Sequence, residues 1–371
     1  VVLTQKLMKR TVLLNPGPVN VTDRVRQALL KPDLCHREKE FSDLMQSIRS
    51  KLVRAFGIQD DFDAVLTTGS GTAALEMAVC SCLGEGQSML VIRNGVYGDR
   101  IATMAETYGF NLQCLDTPWG VPPALNDIEQ ALKQNPSIEV VALVHHETTT
   151  GLLNPVHEIG ELAKKHKKRF LVDSVSGLAG DTLDFDRAGV DFCAGTANKC
   201  LQGFPGVSFV LVRKTELARL EKIPERSHYF NLYKNHQAQE KGDTLFTPAI
   251  QIHYALDTAL DELLEETVEG RIKRYSQAAA MLRKGFQDMR LEFIIPEGHW
   301  SNTLTALKLP EGVTYTGLHD RLKEKGFVIY AGQKKLSESI FRIANMGDIT
   351  KEEFQRLLDT LKNCLSASTP S

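Results

Sequence analysis

The chain has 371 residues, 42% hydrophobic and 24% charged, which at roughly 150 residues per domain corresponds to about two domains. Lys+Arg number 44 and Asp+Glu 46, a net charge of −2, so no global field draws the chain to nucleic acid or an anionic membrane. Composition excludes a disulfide scaffold, a collagen, a disordered chain and a coiled coil, and no apolar run nears the ~20 residues of a membrane helix.

The first ten residues lack the apolar core and small-residue cleavage site of a signal peptide. Strand patterns then recur at 64–68, 89–93, 111–115, 140–145, 169–172, 192–195 and 206–212. Helical patterns at 72–83, 100–108, 125–134 and 156–167 lie between them. The strands are continuous apolar runs, as expected of a sheet covered on both faces. Alternating βα units imply a mostly parallel sheet, with ligands at the strands' carboxyl ends. Ile252, Leu256, Ala259, Leu260 and Leu263 mark one long helix, and Gly270 is expected to interrupt it before a helix through Met281. Strands at 293–295, 304–307, 327–330 and 340–343 and a last helix at 351–365 complete a smaller α/β unit, with a disordered tail at 366–371. The expected division is a large domain over 11–265 and a small one over 266–365, the N-terminal segment being able to pack on the small domain. Seven cysteines, an odd number without a CxxC pair, read as free thiols in a reducing cytoplasm. His145 and His146 read as structural, and no metal site is expected.

Several sheet-end loops carry chemistry. Gly69-Ser70-Gly71-Thr72 joins a strand to a helix. It fits a plain turn, a phosphate cup at a helix start, or a GxGxxA nucleotide fingerprint through Gly69, Gly71 and Ala74. The fingerprint wants an acid at the end of the next strand, and Arg93-Asn94 supplies none. Asp173 ends the run 169–172, where it is either a helix cap or an acid facing a ligand. Lys199 follows the strand 192–195, 26 residues on; it is either a solvated loop lysine or a Schiff-base lysine. Thr148, Thr149 and Thr150 offer hydroxyls, and Tyr97, between Gly95 and Gly98, is suited to stack on a flat ring. Pyridoxal phosphate needs this whole set: a phosphate cup, a plate, a carboxylate for the pyridine nitrogen and a lysine for the aldehyde. A nucleotide-binding or noncatalytic scaffold of the same topology is the rival from another class.

These residues resemble the class V aminotransferases of pyridoxal-phosphate fold type I, over about 13–347. The strings that carry the resemblance are Leu14-Asn15-Pro16-Gly17-Pro18, His146-Glu147-Thr148-Thr149-Thr150-Gly151 and Ala197-Asn198-Lys199-Cys200-Leu201-Gln202-Gly203. Two more are Gly326-Phe327-Val328-Ile329-Tyr330 and Phe341-Arg342-Ile343-Ala344-Asn345-Met346-Gly347. Within the family they are most similar to the branch acting on 2-aminoethylphosphonate and pyruvate. Alanine– and serine–glyoxylate aminotransferases share the cofactor residues and are the alternative.

The resemblance implies that Lys199 binds the cofactor's aldehyde, Asp173 pairs with the pyridine nitrogen, Val175 packs under the ring and Tyr97 stacks above it. It implies Thr148 at the ring hydroxyl, and Ser70, Gly71, Thr72 and Asn198 at the phosphate. Thr247 would reach the partner subunit's phosphate in a homodimer, with Thr244 where glyoxylate aminotransferases have a phosphate-binding Tyr. Arg342 would take the substrate carboxylate and the backbone of Gly17 would close the pocket, while Arg37 fits a solvated helix start or the site. The implied reaction turns 2-aminoethylphosphonate and pyruvate into phosphonoacetaldehyde and alanine by ping-pong chemistry in the cytoplasm.

Overall fold

A computed structural model describes residues 10–366, so the readings of residues 1–9 and of the tail beyond Ser366 lie outside the described residues. Val12–Leu13 (β1) comes first, then Phe62–Gly69 (β2), Ser88–Arg93 (β3), Asn111–Asp116 (β4) and Ile138–Val144 (β5). A short hairpin, His146–Glu147 (β6) and Leu152–Leu153 (β7), precedes Arg169–Asp173 (β8), Phe192–Thr196 (β9) and Gly206–Arg213 (β10). Leu304–Lys308 (β11), Phe327–Val328 (β12), Tyr330–Ala331 (β13) and Ile340–Ala344 (β14) belong to the C-terminal part.

Seven strands form one sheet in the order β2-β10-β9-β8-β5-β3-β4. Only β10 runs against its neighbours. The continuous apolar runs follow from burial on both faces, because successive strand side chains point to opposite sides. Leu66, Leu90, Ile92, Val141, Leu143 and Val172 pack on one face, against Met45, Ile48 and Leu52 of helix Lys39–Ala55 and Leu256 and Leu260 of helix Ile250–Glu266. Val65, Met89, Val91, Ala142 and Leu171 pack on the other, against Ala74, Leu75 and Ala78 of helix Gly71–Ser81 and Ile101 and Ala105 of helix Val96–Thr107. The helices thus hold the sheet rigid while leaving its carboxyl edge open.

A three-stranded antiparallel sheet, β11-β14-β13, organises the C-terminal part. Its core holds Phe286, Leu307, Phe327, Phe341, Ile343, Phe354 and Leu357, and takes in Val12 and Leu14 from the N-terminal segment. That segment pairs in parallel as β1 with β12.

Several local expectations are corrected. The 293–295 strand reduces to an isolated bridge between Phe293 and Leu307. The 327–330 strand splits into β12 and β13, which join different sheets. Gly270 interrupts nothing: the break is at Thr267, with φ of 66°, whose hydroxyl accepts from Gly270 N and so caps helix Val268–Asp288. The helix read at 100–108 begins at Val96. Helix Lys39–Ala55 begins beside the helix start read at Arg37, but its extent had no counterpart in the sequence reading, although Phe41, Met45, Ile48 and Leu52 carry its period.

Candidate active site

The carboxyl ends of the parallel strands converge in register. Val144, ending β5, pairs with Asp173, which ends β8 and pairs in turn with Ala194 of β9. A cleft of about 180 Å³ opens there. Ser70, Gly71, Thr72, Tyr97, Asp173, Val175, Asn198 and Lys199 all line it, having come from four separate sheet-end segments.

One end of the cleft is rich in donors. Ser70 occupies the N-cap of helix Gly71–Ser81 without a side-chain cap bond, and the first N–H groups of a helix have no intrahelical partner. Gly71 is required by contact: a Cβ there would lie 2.6 Å from Val175 Cγ1. Asn198 Oδ1 accepts from Thr196 Oγ1 at 2.9 Å, leaving its amide N–H groups without a partner among the described residues.

At the centre, Asp173 is 4% exposed. Burial pushes its carboxyl up to about 6, against the pull of the Val175 N–H at 3.0 Å and of the Arg100 and Lys199 charges. Burial likewise lowers the Lys199 amine to about 8, with Cys200 and Asp173 opposing and the Arg342 and Arg100 charges assisting. The amine donates to the Pro16 carbonyl, and the adjoining Gly17, at φ of 90°, lies so close that a Cβ would overlap the lysine. The N-terminal segment therefore covers Lys199 through backbone alone.

The remaining side is built by long-range contacts. Arg342, 1% exposed on β14, reaches across from the smaller sheet. Its Nε donates to Ala331 O at 2.8 Å and its Nη1 to Thr148 O at 2.7 Å. Nη2 has no partner among the described residues. Thr148 is buried beside it. Glu147, fully buried, receives Tyr97 N at 3.2 Å, Gly98 N at 3.3 Å and Thr149 N at 3.1 Å, while Thr149 Oγ1 accepts Val96 N at 3.0 Å. The start of helix Val96–Thr107 is thus capped by residues 50 positions away, and Tyr97 stands on its first turn rather than in a free loop. Burial pushes the Glu147 carboxyl up to about 7 despite these donors.

Gly17, Thr148 and Arg342 do not line the cleft directly; Gly17 lies against Lys199, and Thr148 and Arg342 are bonded to each other. Thr247 is exposed in the segment between helices Leu232–Glu240 and Ile250–Glu266, away from the cleft of its own chain. Arg37 does not face the cleft either; it pairs with Asp243 and donates to Thr244 O at 2.8 Å. Of the lining residues, Leu75, Arg100, Val144 and Ser176 are not singled out by the sequence, and His146, read as structural, lines the cleft as well. Arg100 is three residues after Tyr97, a spacing that shares a helix face, and a helix drawn from Val96 reveals it. His146 is buried, with Nδ1 3.2 Å from Ser301 Oγ, and burial lowers its ring to about 3; its neutral state at physiological pH agrees with a structural part.

Known proteins of the same build carry the same fold. An alanine–glyoxylate aminotransferase from Nostoc sp. superposes with a TM-score of 0.91 at 26% identity, covering 98% of both chains. A ureidoglycine–glyoxylate aminotransferase from Bacillus subtilis does so at 0.92 and 25%, covering 99% of this chain and 96% of its own. In sequence, a 2-aminoethylphosphonate–pyruvate transaminase of Lysinibacillus sphaericus is 35% identical over 96% of this chain and 98% of its own length. One from Vibrio cholerae is 35% identical over 95% and 97%. The family model described as aminotransferase class-V matches residues 25–354, which span every cleft-lining residue. The chain therefore belongs to the class-V aminotransferases, enzymes that depend on pyridoxal phosphate.

Proposed function

We propose that this aminotransferase moves the amino group of 2-aminoethylphosphonate to pyruvate, releasing phosphonoacetaldehyde and L-alanine in two successive half-reactions. The observation that carries this reading is the 35% identity, over 95–96% of this chain, with transaminases named for that pair, against 25–26% for the glyoxylate-named structures.

The donor set fits the cofactor. The free N–H groups of the Gly71–Ser81 helix start, with Ser70, Thr72 and the Asn198 amide, would hold its phosphate. Asp173 would pair with the ring nitrogen, with Val175 and Tyr97 on the two ring faces and Thr148 at the ring hydroxyl. Bound there, the cofactor supplies an electron sink for charge developing at the substrate carbon.

The chain's own residues do the rest. Lys199, its amine lowered to about 8, has a neutral fraction at physiological pH and shuttles the proton at the substrate carbon. Asp173 supplies the negative charge that keeps the ring nitrogen protonated. Arg342, with Nη2 uncommitted, would hold the carboxylate of pyruvate. Gly17 and Pro16 keep water from Lys199 on the N-terminal side.

The active unit in this reading is a homodimer in which Thr247 reaches the partner's cofactor phosphate. Its support is an exposed apolar surface beside that residue: Tyr229 and Leu245 are each 37% exposed, and Tyr229 stacks on Phe246 at 4.3 Å. A cytoplasmic site is supported by the cysteines, all free, and no described helix is long and apolar enough to cross a membrane.

Cofactor-loaded protein mixed separately with 2-aminoethylphosphonate, alanine and serine tests the substrate. The phosphonate should shift the visible band fastest at equal concentration, and varying both substrates should give parallel double-reciprocal lines. Serine as the fastest donor would replace this reading with a glyoxylate-type transamination.

A further inference from the structure

Arg100 is a cation without an anion. It is half-buried at the wall of the cleft, and among the described residues no carboxylate comes within ion-pair distance of it. Its protein contacts are two. Nη1 donates to Thr72 Oγ1 at 3.0 Å, and the guanidinium lies over the Tyr97 ring, 4.8 Å from its centroid. Of the other arginines nearby, Arg283 donates to Ser301 O and Thr305 Oγ1, and Arg342 donates to two carbonyls with Nη2 uncommitted. A partly desolvated guanidinium is costly unless an anion accompanies it, so its place on the cleft wall, bonded to Thr72, favours an anionic guest.

The place of the contact says which part of the guest. Thr72 sits on the first turn of helix Gly71–Ser81, next to Ser70, at the donor-rich end of the cleft. A hydroxyl has one proton and two acceptor sites. By donating to Thr72 Oγ1, Arg100 fills an acceptor site, so the hydroxyl proton is left to turn into the cleft.

We propose that Arg100 is the counter-ion and positioning residue for a phosphoryl dianion, the one on the bound cofactor, acting through the Thr72 hydroxyl and by its own charge. The stack on Tyr97 makes the same side chain a brace for the ring plate, so one arginine would couple the phosphate end to the ring face. This inference rests on the pyridoxal phosphate reading of the cleft. The phosphonate of the amine donor carries the same PO₃ chemistry, and the test separates the two.

Dissociation constants of pyridoxal phosphate and of pyridoxal, which lacks the phosphate, are measured by fluorescence quenching for the wild-type apoprotein and for Arg100→Met, Arg100→Lys and Thr72→Val. A hydrogen bond to a charged group corresponds to about tenfold or more in affinity. Arg100→Met should weaken pyridoxal phosphate by about that factor and pyridoxal by less than about twofold. Arg100→Lys, which keeps charge but not the fork, should recover part of the loss, and Thr72→Val should show the same selectivity for the phosphorylated ligand. Equal weakening of both ligands would overturn the proposal, since Arg100 would then only shape the pocket. Unchanged cofactor affinity with a raised KM for 2-aminoethylphosphonate and an unchanged KM for alanine would overturn it in favour of the donor's phosphonate. A wild-type protein that binds neither ligand would remove the cofactor reading itself. Should Arg100→Met fail to fold, Arg100→Lys carries the same comparison with a smaller ratio.

Discussion

The two ends of the cleft are made in different ways. The donor-rich end is local: a strand, a four-residue turn and a helix start place Ser70, Gly71 and Thr72 within a few positions of one another. Behind the opposite side, Tyr97 is held by the 147–149 segment, which Arg342 ties in turn to residue 331, through bonds between segments up to 194 positions apart. A local end rests on backbone geometry, so it tolerates side-chain change. A long-range end depends on individual buried polar groups, each costly to leave without its partner. The largest effects are nonetheless expected between the two, where chemistry and not scaffolding is removed.

Lys199→Ala is expected to have the greatest effect. It should abolish the visible absorption band of the loaded protein and lower kcat by about 10⁴-fold or more. Its circular dichroism should remain that of the wild type, because the amine contributes a single bond to the Pro16 carbonyl. A normal band in this variant would remove the central assignment. Asp173→Asn comes next, with a fall in kcat of about 10²–10³-fold. The apoprotein should respond in the opposite direction. The folded carboxyl is raised from 3.8 to about 6, so the folded state binds its proton more tightly than the unfolded state. That stability is present at low pH and is lost as pH rises from about 4 to about 6. Thermal melts at pH 7 should therefore find apo Asp173→Asn more stable than wild type, by something on the order of 2 kcal/mol.

Arg342→Met tests the long-range end. Pyruvate should lose affinity by about 10–100-fold, read as KM in the second half-reaction. Two acceptors, the buried Thr148 O and the part-buried Ala331 O, would also lose their donor, so the fold should weaken by about 1–3 kcal/mol. Arg342→Lys should regain little, because an ammonium cannot span both carbonyls and a carboxylate in one plane. If KM for pyruvate is unchanged while stability falls, Arg342 is a strut only.

This contrast between the ends also explains what the sequence disclosed. The doubly buried strands, the loop residues at their carboxyl ends and the Asp173–Lys199 convergence all follow from short-range pattern, because each run announces its own element. Tyr97 was legible as a plate but not as a helical residue. Gly95 and Gly98 read as loop, and the groups that make a helix there, Glu147 and Thr149, lie in another segment. Arg100 was lost with the helix start. The 293–295 run is apolar enough for a strand, yet its only bridge is to Leu307; partner availability, which no local pattern encodes, decided it. The same is true of 327–330, which two different sheets compete for.

Glu147 is where the two kinds of construction meet, and its expected effect on activity is the smallest. Its carboxylate fills the space that a Cβ on Gly95 would need, and it receives four donors from residues 97, 98 and 149. Burial still outweighs these bonds and raises it from 4.5 to about 7. The folded state then favours the protonated acid, so its stabilising share is whole below about pH 4.5 and lost as pH rises to about 7. Glu147→Gln resembles that protonated form in shape and charge. It should melt close to wild type at pH 5 and gain on it by pH 8, by something on the order of 2 kcal/mol, while shifting kcat only a few-fold through Tyr97. The Asp173→Asn variant separates the two overlapping windows, since it removes from Glu147 only the small upward push of the Asp173 charge. A constant deficit for Glu147→Gln at both pH values would mean that the four donors keep the carboxylate ionised, and that the start of helix Val96–Thr107 is anchored by charge rather than by shape.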